Sequence, residues 1–218
     1  LADRLPYELI AKHSSSVFQL ETLLLGCAGL IDPYENDYAA KLFQEFSFLK
    51  EKYGLVSIQQ RLKKGRMRPA SLPHVKLALF AAFLHQKPDL KSFYTSQDIL
   101  PLLQNTQASE FWDTHYSFSS ESTFKPKRYS LETIRHLVLN AIAPFLFLYA
   151  KKKHLDFSVI EMLQGFKPEK NSIIKRWESV GIKPDSAFDS QALLHLYKQY
   201  CKPKRCLDCH IGQSLLSK

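Results

Sequence analysis

Between Phe18 and Leu30 the chain places Phe18, Leu20, Leu23, Leu24, Leu25, Cys27, Ala28 and Leu30, which leaves little polar face for water. A helix apolar around most of its girth cannot lie on a surface, so other elements have to wrap it. Ser15 and Ser16 stand where an N-cap belongs, and Gly26 and Gly29 weaken the far end. Helical spacing recurs from Asp37 to Tyr53, where Leu42, Phe43, Phe46, Leu49 and Tyr53 share a face and Gly54 marks the stop. Pro73 suits the first turn of a helix reaching Leu84, and Asp89 opens another toward Leu103, bent or restarted at Pro101. Ser130 caps a long helix to Lys153. Further helices run from about Asp156 to Leu163, from Pro168 to Val180 with Gly181 beyond, and from Asp185 or Ser186 to Tyr200. No stretch alternates with a period of two, so the fold expected is all-α, an irregular domain of roughly eight to ten helices with aromatic-rich loops.

With 218 residues, 45% of them hydrophobic, the chain can bury a substantial core. Residues 117–128 read as a connecting segment between an N-terminal helical half, 1–116, and a C-terminal half, 129–218, or as a loop within one domain. Leu1 in place of methionine, followed by Asp3-Arg4-Leu5-Pro6, points to a fragment whose upstream half is its first expected partner. No leader is visible, which favours a cytoplasmic home. The apolar run from Ile134 to Ala150 is interrupted by Arg135, His136, Asn140 and Pro144, so a kinked core helix is expected and no membrane partner.

Thirty basic against twenty-one acidic side chains give a net charge of +9 and favour polyanionic partners. The densest basic stretch, Arg61, Lys63, Lys64, Arg66 and Arg68, surrounds Gly65 and precedes Pro69, where a constrained loop can present a guanidinium fork to phosphate. Lys125, Lys127, Arg128 and Lys151 to Lys153 would extend such a surface, although the last three also suit a helix C-terminus. The leading expectation is a module that binds nucleic acid or another polyanion as accessory to an upstream domain. Its rivals are a structural or protein-interaction domain without catalysis of its own, and part of an enzyme using Glu110, Asp113 and His115 as an acid-base set. Walker loops, dinucleotide fingerprints, nucleophile elbows and zinc-protease helices are all missing from the sequence.

Three of the four cysteines fall within nine residues, Cys201, Cys206 and Cys209. Four and then two intervening residues are the spacing of a plant-type iron–sulfur loop and close to that of hairpin zinc loops. A closed structural zinc site needs a fourth ligand, for which His210, Cys27, His195, His154 or an upstream residue are candidates. Lys202, Lys204 and Arg205 favour thiolates and Asp208 opposes them. The bland reading is a set of reduced, packed thiols at a helix end. Cys206-Leu207-Asp208-Cys209-His210 also fits the haem-attachment pattern letter for letter, yet nothing else in the chain speaks for a cytochrome.

Several phrases together carry a family likeness: Gly26-Cys27-Ala28-Gly29-Leu30, Arg66-Met67-Arg68-Pro69-Ala70-Ser71-Leu72-Pro73, Phe111-Trp112-Asp113-Thr114-His115-Tyr116 and Lys170-Asn171-Ser172-Ile173-Ile174-Lys175-Arg176-Trp177-Glu178. With Asp189-Ser190-Gln191-Ala192-Leu193 and the terminal cysteines, they resemble the C-terminal half of the bacterial domain-of-unknown-function family 2851. The resemblance spans nearly the whole chain and implies no established activity. It does imply a longer protein, with an upstream half whose acidic and histidine-rich pattern loosely resembles nuclease cores.

Overall fold

A computed structural model describes residues 4–58, 72–86, 96–154 and 158–216. The chain divides into two compact units, Leu1–Ile134 and Arg135–Lys218. The first begins with α1 (Tyr7–Lys12), α2 (Val17–Cys27), α3 (Asp37–Tyr53), α4 (Pro73–Gln86) and α5 (Ser96–Asn105). A 3-10 turn, Glu110–Asp113, then leads into a two-stranded antiparallel hairpin of β1 (His115–Ser117) and β2 (Ser120–Glu121). The expected all-α architecture holds, with this hairpin as its departure. The start expected at Asp89 lies outside the described residues, while α5 carries Pro101 within it.

The second helix is the axis of the first unit. Every residue from Leu20 to Cys27 is buried, and the helix packs against α3 and α4. Leu25, Leu42, Val75, Ala78 and Trp112 share its core, and each large apolar side chain so buried contributes about 1.5–3 kcal/mol. Its start is the expected one, with the Gln19 amide donating to Ser16 Oγ at 3.3 Å. Asn36 caps α3 through the Ala39 amide, 2.8 Å, and Gly54 ends it at φ +63°.

The glycines at the end of α2 are there for contact. A Cβ on Gly26 would fall on the Phe46 ring of α3, so only glycine lets the two helices close. Gly29 turns the chain at φ +67°, and a Cβ there would stand 2.6 Å from the Ile58 carbonyl oxygen. The chain returning after α3 satisfies the helix end: Ile58 N–H donates to the Cys27 carbonyl at 2.8 Å, and Ser57 Oγ to that of Gly26 at 2.8 Å.

One carboxylate sits inside this apolar helix. Glu21 is fully buried and accepts from Tyr38 Oη at 2.7 Å, Trp112 Nε1 at 3.0 Å and Ser109 Oγ at 2.8 Å. Burial pushes its carboxyl above the ordinary 4.5, and the donated hydrogen bonds oppose that rise. The three donors come from α3 and from the turn around Glu110–Asp113, so one side chain ties three parts of the unit together. Phe111 stacks between Tyr38 and His115, with centroids 4.3 and 4.2 Å away, while His74 is buried with its ring edge toward Phe118.

Residues 117–128 are no linker between halves. The hairpin turns within them, Asn36 Nδ2 donates to the Phe118 carbonyl at 2.6 Å, and Ala108 N–H donates to the Lys127 carbonyl at 3.0 Å. The division falls later, between Ile134 and Arg135, because aromatic packing draws this segment back onto the first unit.

A continuous helical stretch, α6 (Leu131–Leu137), a π-turn Val138–Ile142 and α7 (Ala143–Lys153), leads into the second unit. Ser130 caps it through the Thr133 amide at 3.1 Å. By length and composition Leu131–Lys153 is long and apolar enough to cross a membrane, and 33% of its apolar window is buried. Val138, Leu139, Ala143, Leu146 and Ala150 face inward, while Phe145, Phe147 and Leu148 are exposed. Then come α8 (Val159–Gln164), α9 (Ser172–Ser179) and α10 (Ala187–Leu196), which extends through a π-turn to Cys201. Asn171 caps α9, and Ser186 with Asp189 forms a capping box on α10. A 3-10 turn, Cys206–Asp208, and α11 (His210–Leu216) complete the unit.

Three outcomes follow for stability, each measured by urea unfolding of the whole chain. Glu21→Ala strands three buried donors and lowers stability by about 3 kcal/mol or more, whereas Glu21→Gln keeps an acceptor for Tyr38 and Trp112 and offers its amide to Ser109 Oγ, so it costs far less. Because the folded pKa is raised, the stability this carboxyl contributes is fully present below 4.5 and is lost as pH rises through the folded value. Wild type therefore loses stability relative to Glu21→Gln over that window; a pH-independent difference would contradict the assignment. Gly26→Ala lowers stability by about 1–3 kcal/mol through overpacking, and Phe46→Leu in the same chain recovers part of the loss.

Candidate functional site

The three clustered cysteines come together in the second unit. The π-turn ending α10 delivers Cys201, and the chain reverses at Lys204, whose φ of +58° lies in the left-handed region. Lys204 N–H donates to the Cys201 carbonyl at 3.1 Å and Arg205 N–H to that of Tyr200 at 2.9 Å, so the reversal is closed by its own backbone. The 3-10 turn carries Cys206, and Cys209 precedes α11, where Gln213 N–H donates to the Cys209 carbonyl at 2.8 Å. Gly212 rests against the Cys206 carbonyl oxygen so closely that any Cβ there would overlap it. Its lack of a side chain lets α11 seat on the cysteine loop.

Cys201 and Cys206, both exposed, and the half-buried Cys209 border one cavity of about 180 Å³, together with Trp177, Leu196, Tyr200, Ile211, Gly212 and Leu215. Burial pushes the Cys201 thiol up from its ordinary value, and the charges of Cys209 and Cys206 push it the same way, as expected of sulfurs held near one another. Among the described residues no three His, Cys, Asp or Glu side chains are gathered closely enough to hold a single metal ion. The closed four-ligand knot of a structural zinc site is therefore not formed by these residues.

The candidate fourth ligands differ in setting. Cys27 belongs to the first unit, fully buried, with its thiol pushed up to about 11 by desolvation, which opposes the thiolate a metal needs. His210 is exposed at the start of α11. His195 is exposed with its ring 6.3 Å from that of Tyr200, and His154 is exposed at the left-handed C-cap of α7.

Trp177 also borders this cavity, and the cysteine spacing does not announce it. It projects from α9, and its indole Nε1 is buried without a hydrogen-bond partner. The signal available was its spacing, three residues beyond the buried Ile174 on an otherwise polar helix. Arg176 beside it donates to Tyr197 Oη at 2.9 Å, stitching α9 to the end of α10. Arg205 pairs with Asp208 at 2.9 Å and lies over the Tyr200 ring.

The proposed acid-base residues are placed in the first unit. Glu110 is exposed. Asp113 is buried, its carbonyl accepting from Lys125 N–H at 2.8 Å and Lys127 Nζ at 3.1 Å, and its Oδ1 has no hydrogen-bond partner. His115 donates through Nδ1 to the Phe111 carbonyl at 3.1 Å, leaving Nε2 3.9 Å from the exposed Glu121. Among the described residues no hydrogen bond or ion pair joins Glu110, Asp113 and His115.

The basic loop Arg61, Lys63, Lys64, Arg66 and Arg68 lies outside the described residues. Lys127 is withdrawn from any phosphate surface: it is buried, lies 4.1 Å from the Tyr116 centroid and donates to the Asp113 and Lys125 carbonyls and to Ser122 Oγ. Burial lowers its pKa, against the pull of Asp113. Arg128 is engaged by Gln107 Oε1 at 2.8 and 3.1 Å. Lys151, Lys152 and Lys153 are exposed at the C-terminus of α7.

No curated protein and no solved structure matches the chain. The family model described as a protein of unknown function, DUF2851, matches residues 1–172, which include the Glu21 network and stop short of the cysteine loop. On that match, the chain belongs to the DUF2851 family.

Proposed function

We propose that this chain is a nucleic-acid-binding module whose contact surface lies on its second unit. The observation that carries the reading is the partition of charge. Arg135–Lys218 holds 14 Lys and Arg against 7 Asp and Glu, whereas Leu1–Ile134 holds 16 against 14. The shorter unit thus carries +7 of the +9. Lys151, Lys152, Lys153, Lys198, Lys202 and Lys204 are exposed there, and among its described residues the one ion pair is Arg205 with Asp208. Unpaired surface cations condense onto a phosphate backbone by releasing its counterions, with no requirement for base contacts.

A second reading, a protein-interaction domain, draws support from Phe145, Phe147 and Leu148, which leave an apolar strip of α7 exposed. The two readings respond oppositely to salt: phosphate contacts weaken as salt rises, while apolar contacts persist or strengthen.

Filter binding of the whole chain to random-sequence DNA and RNA across a salt series tests the proposal. Log affinity is expected to fall linearly with log salt, and Lys202→Gln with Lys204→Gln to make the slope shallower by about 0.7–0.9 for each phosphate no longer neutralised. Absence of binding at low salt, or a slope unchanged by these and by the Lys151–Lys153 glutamine variants, would refute it.

A further inference from the structure

We infer that Cys206 and Cys209 form a reversible disulfide when hydrogen peroxide reaches their loop, with Cys201 left as a free thiol. The inference rests on the turn that joins the two cysteines and is independent of the nucleic-acid reading.

Backbone geometry selects the pair. Cys209 N–H donates to the Cys206 carbonyl at 3.3 Å, which closes a turn whose first and fourth residues are the two cysteines. Such a turn holds its end Cα atoms within about 7 Å, and a 3-10 turn sets residues three apart on one side. A disulfide spans Cα separations of about 4.4–6.8 Å, so the backbone already stands near the range the bond requires. Both residues border the same cavity. The following helix grips the turn from three points: Gln213 N–H donates to the Cys209 carbonyl at 2.8 Å, Gln213 Nε2 donates to that of Leu207 at 2.6 Å, and Gly212 seats on that of Cys206.

Exposure and charge set the order of events. Cys206 is exposed and Cys209 half-buried, so an oxidant arriving from solvent meets Cys206 first. Lys202 and Lys204 precede it in the loop and favour a thiolate, while Asp208, which would oppose one, is paired with Arg205 at 2.9 Å. The Cys206 thiolate attacks one peroxide oxygen, the O–O bond breaks, and the departing hydroxide takes up the proton that the thiol released, leaving as water. The Cys209 thiolate then attacks the sulfur of the resulting sulfenic acid. An S–S bond forms, the S–OH bond breaks, and the hydroxyl leaves with the Cys209 proton as a second water. Two thiols are oxidised by two electrons and one peroxide is reduced to two waters.

Cys201 borders the same cavity but competes poorly. Desolvation, and then the charges of Cys209 and Cys206, raise its thiol above the ordinary value, so less of it is thiolate. Leu196, Ile211 and Leu215 give the cavity an apolar wall, against which a disulfide leaves no S–H donor unmet. Exposed disulfides have the more oxidising potentials and yield to glutathione, which makes this bond a reversible one.

Peptide mapping of the whole reduced chain after hydrogen peroxide treatment, alkylation of the remaining thiols and tryptic digestion tests the inference. Cys206 and Cys209 share the tryptic peptide 206–218, whereas Cys201 falls in 199–204. Expected is a peptide 206–218 lighter by two hydrogens with neither sulfur alkylated, while Cys201 and Cys27 are alkylated and reduced glutathione reverses the change. Cys201→Ser keeps the bond. In glutathione redox buffers the folded chain is expected to favour the bond about tenfold or more over the same chain in concentrated urea, because folding has already fixed the turn residues. A link between 199–204 and 206–218, oxygen gained without hydrogen lost, no reaction, a bond that glutathione leaves intact, or equal constants folded and unfolded would each overturn it.

Discussion

Burial of a carboxylate in the middle of an apolar helix is the constraint on which the first unit turns. Glu21 cannot be left dry and unpaired, because a bare buried charge costs several kcal/mol. It therefore demands donors, and they arrive from Tyr38 on α3 and from Ser109 and Trp112, roughly ninety positions along the chain. Hydrophobic contact alone would let the aromatic turn settle in several ways against α2. Three directed hydrogen bonds to one group leave one arrangement.

The second unit is built on a different balance. Its buried set is small, with Leu146, Ile174, Ala187 and Leu194 among few apolar members, and local devices hold its helices: the Asn171 cap, the Ser186–Asp189 capping box and the self-closed cysteine loop. Concentrated positive charge works against compaction of such a unit. A multivalent anion on the outside would relieve that repulsion. The proposed nucleic-acid contact would thus add a stabilising ligand where the protein core is thinnest.

Much of this was legible in the residues. Ser16, Gly54, Ser130, Ser186 and Gly181 mark helix ends because capping chemistry is local, and the apolar density of 18–30 announced a helix that others must cover. Glu21 went unnoticed, since a lone acid in an apolar run gives no hint of which distant donors will meet it. Gly26 read as a weakness of the helix, while its reason is the Phe46 ring on a neighbouring helix. The hairpin escaped because three- and two-residue strands are too short to show a period. At the cysteines, spacing signalled that the thiols share a site. Trp177 and Gly212, which shape that site, come from separate elements that only folding brings together.

The span between Glu21 and Trp112 also has a consequence in time. As the chain is synthesised, α2 emerges 91 residues before the indole that completes its network. At ribosomal speeds that interval is on the order of ten seconds. A helix with apolar residues on nearly every side waits through it without its final cover. The network of Glu21 is completed only when the Phe111–Trp112 turn arrives, so folding of the first unit is timed by a segment far downstream of the helix that most needs it.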